Sequence, residues 1–347
     1  MQRIGSFDIL KGICITIVVL CHTITFGGIS NSFLRVFLQA IFLNCFFFVA
    51  GWFTCQNPEQ NFKTKIFTLG IPYLILSVIS IVFNSLFNLI FGSRFLDTDY
   101  KGIKLLFRDI YVTLSLNGIG TLWFLPILII SSIILLYFIK FFKNKIFFYY
   151  LAIILFVVGF LINDNIYFNY SGFLGEILNK EIQFLNRIFT ALIFGFLGYL
   201  FNLKLKDSNI LKWIYPFTLI AGIIIAKYNF ILGSILIVCS ITLIFYFLNN
   251  KKINSFFKIL TFCGKNSIMI MYLHYIIVLP FVKMFFTLFN VKQSLGPQVI
   301  SLLLFLVTFI VTVILSYLIS KNNRLSFIFG KGKDFIKFKN NFMNSEN

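Results

Sequence analysis

Charge is scarce in this chain, and acid is scarcer than base. Asp, Glu, Lys and Arg make up 12% of the 347 residues, roughly half the share usual in a soluble protein. Only two histidines occur, and the eleven acids do not cluster, so the ligands for a metal site are missing. Six cysteines are present: Cys14, Cys21, Cys45, Cys55, Cys239 and Cys263. No two have CxxC spacing and most fall in apolar runs, so they read as buried thiols rather than disulfides or metal ligands. No loop is large enough for a soluble catalytic domain, and neither an internal repeat nor a low-complexity tract stands out. The net charge of +19 alone suggests nucleic acid as a partner. Its lysines and arginines sit in short loops between apolar runs, however, not on a soluble face, and that excludes nucleic-acid binding.

What the chain has in abundance is hydrocarbon. It is 59% hydrophobic, against about 45–50% in soluble domains, with a mean hydropathy of +0.93. Such a chain cannot cover itself with polar groups, so its solvent is lipid. A bilayer core about 30 Å thick is crossed by roughly 20 apolar residues of helix. Candidate spans are 7–27, 33–53, 66–91, 119–140, 146–163, 184–202, 210–226, 228–248, 266–289 and 297–320. The start MQRIGSFDILKG leads into a run too long for a cleavable signal and without a small-residue cleavage site. The seventh and eighth spans form either a tight hairpin or one long broken helix. The expected fold is therefore all-α: a polytopic transmembrane helical bundle of about ten spans. Heavy use of Ile, Phe, Lys and Asn fits a bacterial genome rich in A and T.

Orientation follows from charge. With the N-terminus inside and ten spans, 20 of the 30 basic residues and five of the eleven acids fall on the cytoplasmic side. That asymmetry obeys the positive-inside rule and puts both termini in the cytoplasm of a multi-pass cell-membrane protein. The loop 92–118 carries a candidate interfacial amphipathic helix in its second half. The loop 164–183 is polar and aromatic. Residues 1–320 read as the membrane domain, and 321–347 as a basic, flexible tail suited to anionic lipid.

Ionisable groups inside spans cost roughly 2.5–3.5 kcal/mol each on insertion scales, so they mark where chemistry is expected. The first span holds Asp8, Lys11 and His22. From Lys11 to His22 is just over three turns and from Asp8 to His22 just under four, at about 100° per residue. All three share one stripe, with His22 about 16 Å along the axis from Lys11. Asp8 and Lys11 are equally readable as an ordinary i,i+3 pair at the membrane boundary. His22 lies deep in an apolar run. There it is either a structural histidine bonded to a neighbouring helix or a functional one facing the bundle interior, and the second reading is preferred. His274, in GKNSIMIMYLHY, is as readily structural as functional. Ser267 lies two turns before it on the same face, and Tyr272 on a different face. Gly51 in FFFVAGWF permits close helix approach. Trp123 in TLWFLPILI is also an interfacial anchor by type. Pro72 kinks or starts the third span.

Taken in order, FDILKGICITIVVLCH, FFFVAGWF, LGIPYL, TLWFLPIL and GKNSIMIMYLH resemble the acyltransferase 3 family of bacterial integral membrane O-acyltransferases. The resemblance covers residues 3 to about 320. In that family a basic residue, ten intervening residues and a histidine mark the first helix, matched here by Lys11 and His22, with Asp8 as the preceding acid. Phe46, Phe47, Phe48 and Gly51, then Trp123, Phe124 and Leu125, then Gly264, Asn266, Ser267, Tyr272 and His274 match later blocks. Two departures stand out. Lysine replaces the commoner arginine at position 11, which keeps charge but loses bidentate geometry. Before Pro72 the basic residues are Lys63 and Lys65, while Thr68 stands where a basic residue is common. Lys65 is the remaining candidate there for holding a donor phosphate.

The resemblance implies transfer of an acyl group, usually acetyl, from acetyl-CoA to a hydroxyl of a cell-envelope glycan or glycolipid, with no tightly bound cofactor. His22 would act as general base or acyl relay, since neutral imidazole takes a proton near pH 7. Lys11 would meet the anionic donor, held by Asp8. His274 and Trp123 would line the acceptor or acyl channel. Ser267, Tyr272 and Asn266 are oxyanion candidates by chemistry. Partners would then be the lipid bilayer, the acyl-CoA, the carbohydrate or lipid-linked acceptor and other glycan-assembly proteins. The rival readings are a glycolipid or polysaccharide transporter or flippase, for which no inverted repeat is found, and a non-catalytic scaffold in a glycan-assembly complex.

Overall fold

A computed structural model of the chain describes residues 4–26, 33–56, 62–92, 95–96, 100–141, 173–205, 211–226, 229–248, 257–289 and 296–344. Among them the structure is helical, without strands. In chain order the helices are α1 (Gly5–Phe26), α2 (Phe33–Gln56), α3 (Phe62–Phe91), α4 (Ile103–Leu114), α5 (Phe124–Phe141), α6 (Phe173–Leu200), α7 (Leu211–Ile225), α8 (Phe230–Phe247), α9 (Lys258–Lys265), α10 (Ser267–Leu288), α11 (Pro297–Lys321), α12 (Asn323–Ile328) and α13 (Gly332–Asn344). Wide π turns occupy Ile66–Gly70 within α3 and Leu273–Val278 within α10.

Seven of these helices are long and apolar enough to cross a membrane, and Ile41–Thr54 and Ile214–Ile225 are shorter apolar helices. Nine of the ten expected spans thus coincide with helices, seven of them of full length. The fifth, 146–163, lies outside the described residues. Two expectations are corrected. The loop expected at 164–183 is already helix α6 from Phe173. The tail expected to be flexible folds into α12 and α13, because Phe335 on α13 has Phe67 and Phe327 to pack against. The amphipathic segment expected in loop 92–118 is α4.

The helices are inside-out relative to those of a soluble protein. On α3 the exposed residues include Leu74, Val78, Val82, Leu86 and Leu89, while Ser77, Ser80 and Asn84 are buried alongside Leu76 and Phe87. On α11 Leu302, Leu306, Ile310, Ile314 and Leu318 are exposed, while Ser301, Thr308, Thr312 and Ser316 are buried. Water would reverse this arrangement; hydrocarbon selects it.

The chain divides into two units. The first comprises residues 1–14, 39–62 and 127–265, the second residues 15–38, 63–126 and 266–347. In the first unit small residues bring backbones together. A Cβ on Gly51 would strike the carbonyl of Gly195, and one on Gly198 the carbonyl of Phe48, so α2 and α6 pack main chain to main chain. In the same way Gly12 of α1 abuts Leu260 of α9, and Gly264 abuts Asp8. Phe7, Trp52 and Tyr246 form an aromatic cluster, and the Asn202 side chain donates to the Trp52 carbonyl at 2.8 Å.

The alternative left open for the seventh and eighth spans is decided in favour of the hairpin. Asn229 caps α8 by accepting from the Leu232 amide, Gly233 packs on Ala226 and Gly222 on Ile237. The Thr218 and Ser240 hydroxyls meet at 2.7 Å, and Tyr215 stacks on Phe247. These pairs run antiparallel, turning at the short connection between α7 and α8.

In the second unit Tyr73 donates to the Thr113 carbonyl at 2.7 Å, tying α3 to α4. Asn322 caps α12 through the amides of Arg324 and Leu325. Gly330 and Gly332, at φ of 70° and 85°, make the left-handed turn that returns α13 toward the start of α3. There Phe67 packs on Phe335 and Phe338. Lys331 then donates to Asn266 Oδ1 at 2.7 Å.

Two outcomes are expected. Gly51→Ala should destabilise the protein by about 1–3 kcal/mol, because the added methyl meets a main-chain carbonyl that cannot yield. Gly195→Ala should be tolerated, since its Cβ would meet only ordinary contacts at 3.7 Å. Thermal unfolding in detergent of the two variants checks the contrast, and equal losses would refute it. For the tail, Phe335→Ala should speed tryptic cleavage at Lys331, Lys333 and Lys337 by about tenfold, because it removes the anchor of α13. An unchanged cleavage rate would mean the docking is not what protects it.

Candidate functional site

Helix α1 is continuous over Gly5–Phe26, so Asp8, Lys11 and His22 do occupy one helix. At its start, in the first unit, Lys11 Nζ lies 3.1 Å from Asp8 Oδ1. The Asp8 side chain is almost fully buried and that of Lys11 a quarter exposed. A buried carboxylate thus pairs with a cation whose side chain is itself partly exposed.

At the other end of α1, in the second unit, the two histidines of the chain meet. The ring centroids of His22 and His274 are 5.4 Å apart, and the Tyr275 ring sits 4.7 Å from His22. His274 is fully buried, whereas His22 is half-buried. His274 Nδ1 lies 2.8 Å from the Ile270 carbonyl oxygen. A carbonyl only accepts, so Nδ1 carries the proton, and in the neutral ring Nε2 presents a lone pair. That Nε2 is buried and has no hydrogen-bond partner, an exposed need in an interior where such atoms are normally paired.

Both His274 and Tyr275 lie in the π turn of α10. Pro280 follows, and it lacks the amide hydrogen that would bond Ile276 four residues back. A π turn rotates the following side chains away from their α-helical phase, and such turns gather at functional positions. The turn before α5 is fastened to the same part of α10. Thr121 donates to the Met271 carbonyl at 2.8 Å, and Gly120, at φ 55°, leaves no room for a Cβ against the Tyr275 ring. Trp123 belongs to this turn, half-buried, with its ring edge-on to Phe124.

The other expected residues point elsewhere. Tyr272 is buried with its hydroxyl 3.3 Å from Ser80 Oγ and its ring against Phe329, so it braces α3 and α12 instead of facing the imidazoles. Asn266 stands at the N-cap position of α10 without a side-chain capping bond, and its side-chain oxygen accepts from Lys331. Ser267 is the first residue of α10, about 10 Å of helix from His274. Lys65 ends the first turn of α3, just before the π turn, and Thr68 bonds its own Thr64 carbonyl.

Among the described residues no group of three His, Cys, Asp or Glu side chains comes together to hold a metal ion. Cys14, Cys21, Cys45, Cys239 and Cys263 are buried thiols. Burial pushes the Cys263 thiol up to about 11, so it is no thiolate nucleophile at neutral pH.

Residues the sequence reading did not single out join the site. Tyr275 lies between His22 and a cleft whose lining includes Asn84, Arg108 and Lys283. Lys283 is buried within α10, a cation inside a span, and that position was itself a legible signal.

Comparison with family models matches residues 4–321 to the acyltransferase domain of the acyltransferase 3 family. Comparison with curated proteins finds no match, and neither does comparison with solved structures. With a family model spanning nearly the whole of a helical body that has seven membrane-length apolar helices, the chain belongs to the acyltransferase 3 family and is a multi-pass membrane acyltransferase.

Proposed function

We propose that the chain is an O-acetyltransferase of the cell membrane, moving acetyl from acetyl-CoA to a hydroxyl of a cell-envelope glycan or glycolipid. The observation that carries this reading is the pairing of a half-buried His22 with a His274 whose buried Nε2 lacks a partner. In the proposed step His22 takes the proton of the acceptor hydroxyl, the hydroxyl oxygen attacks the thioester carbonyl, and coenzyme A leaves as its thiol, receiving that proton. His274, its Nδ1 fixed on Ile270, keeps a lone pair turned to the site and positions the acceptor or the His22 ring. Lys11, held by Asp8, meets the anionic donor as a point charge.

The topology proposed with it has ten spans, including 146–163, and both termini in the cytoplasm. Lys11 then stands near the cytoplasmic end of α1, on the side of the acetyl-CoA pool, and His22 deeper along the same stripe. This agrees with the charge asymmetry of the loops.

His22→Ala should lower acetyl transfer by about a hundredfold to ten-thousandfold, the range of a general base. Acetyl content of the surface glycan, in cells where insertion of the variant is verified, reads it out. Full acetylation would sink the proposal, and lost glycan export with normal acetylation of what is exported would favour a transporter. Lys11→Gln should raise the KM for acetyl-CoA more than it lowers kcat, and Lys11→Arg should restore it. A Lys11→Gln enzyme with an unchanged KM would remove Lys11 from the donor site.

A further inference from the structure

Three rings of the second unit meet at the far end of α1, and the acyl-transfer step gives a role to only two of them. The third, Tyr275, is nearer to His22 than His274 is. Its ring centroid lies 4.7 Å from that of His22, at an interplanar angle of 61°, against 5.4 Å for His274. That is the edge-to-face geometry aromatic rings prefer. Tyr275 is itself held by a second element. A Cβ on Gly120 would lie 2.6 Å from both Cδ1 and Cε1 of the Tyr275 ring. Ordinary carbon contacts are about 3.5–4.0 Å, so the Gly120 main chain is seated directly on the ring. The turn carrying Gly120 is stiff. A Cβ on Gly118 would strike the Trp123 main chain, and the Leu122 amide donates to the Ile119 carbonyl at 3.0 Å. The turn is also fixed to α10, because the buried Thr121 hydroxyl donates to the carbonyl of Met271 at 2.8 Å, four residues before Tyr275. His22 is half-buried. The torsion that turns an imidazole about its stem is broad, so the ring orientation depends on what walls it in.

We propose that Tyr275 is a positioning residue for His22: its ring, seated on the Gly118–Trp123 turn, sets the orientation in which the imidazole meets the acceptor hydroxyl. A general base must come within about 2.6–3.2 Å of the proton it takes, and a misplacement of about 1 Å can cost on the order of a hundredfold in rate. A flat aromatic wall fixes the angle of the imidazole without adding a charge to the interior. It also leaves His274, whose Nδ1 is committed to Ile270, to face the acceptor. The catalytic purpose rests on the acyltransferase reading above, whereas the clamping of one ring by the other does not.

The test uses membranes of the host cells, titrated with acetyl-CoA carrying a labelled acetyl group. Label entering the glycan fraction is normalised to the amount of inserted enzyme. Tyr275→Ala should lower the maximal rate about tenfold to a hundredfold with the KM for acetyl-CoA unchanged, the pattern of an interaction realised in the transition state. Tyr275→Phe, which keeps the ring, should recover most of it. Gly120→Ala, whose methyl displaces the ring by about 1 Å, should lose tenfold or more. Added to Tyr275→Ala it should cost no more than about twofold further, because the ring it would displace is gone. A second readout needs no turnover. Diethyl pyrocarbonate modifies accessible imidazoles, and His274 is fully buried, so the N-carbethoxyhistidine absorbance reports His22, with His22→Ala as the blank. Tyr275→Ala should be modified severalfold faster than the unaltered protein or Tyr275→Phe. Should Tyr275→Ala fail to insert, Tyr275→Leu against Tyr275→Phe decides. An unchanged maximal rate, or a raised KM at unchanged maximal rate, would overturn the positioning role, and fully additive losses would remove Gly120 from it. A His22→Ala protein that still transfers label would overturn the acyltransferase reading, and the modification rates would then decide the clamp by themselves.

Discussion

Hydrocarbon around a protein removes the two services that water performs, pairing stray polar groups and driving apolar faces together. Helices in lipid are therefore held by close packing and by hydrogen bonds made inside. Both appear here. In the first unit Gly51, Gly198, Gly12 and Gly264 let main chains touch, so dispersion acts at the shortest possible range. Serine, threonine and asparagine lie on the inner faces of α3 and α11, where a soluble helix would place leucine. Every further feature of the site depends on that inversion, because it makes the interior the one place where polar chemistry can be housed.

Helix α10 shows how the second unit uses such an interior. Around its circumference it receives the Thr121 hydroxyl on Met271, the Ser80 hydroxyl near Tyr272, and the Phe329 ring. His274 bonds back onto Ile270, and Lys283 faces the cleft. A regular helix would keep these side chains in fixed phase at about 100° per residue. The π turn at Leu273–Val278 inserts extra rotation between the bracing residues before it and the cleft residues after it. Residues up to Tyr272 can then anchor neighbours while those beyond turn toward His22 and the cleft.

Much of this was legible in the sequence. Span positions follow from runs of apolar residues, since length and hydropathy are local properties. The stripe of α1 follows from helical phase alone. Gly51 was readable as a close-approach position because only a small residue among aromatics explains it. What escaped was non-local or phase-dependent. Tyr275 neighbours His274 in sequence, but its contact with His22 arises from the π turn and from α1. Arg108 and Asp109 looked like loop charges until α4 brought them against Asn84. The tail read as flexible because its basic residues hide the spacing of Phe327, Phe335 and Phe338, which only a docked partner, Phe67, makes meaningful. Asn266 and Tyr272 were plausible by chemistry, and their partners Lys331 and Ser80 are 65 and 192 positions away.

The chain's thrift with charge sorts its interior ions by purpose. Lys11 is matched by Asp8, and such a pair can persist on its own account with the lysine side chain a quarter exposed. The histidines are neutral when unprotonated, so burying them costs little beyond one lone pair on His274. Asp109 engages both Arg108 and Asn84, so the carboxylate buried there has its charge compensated where it sits.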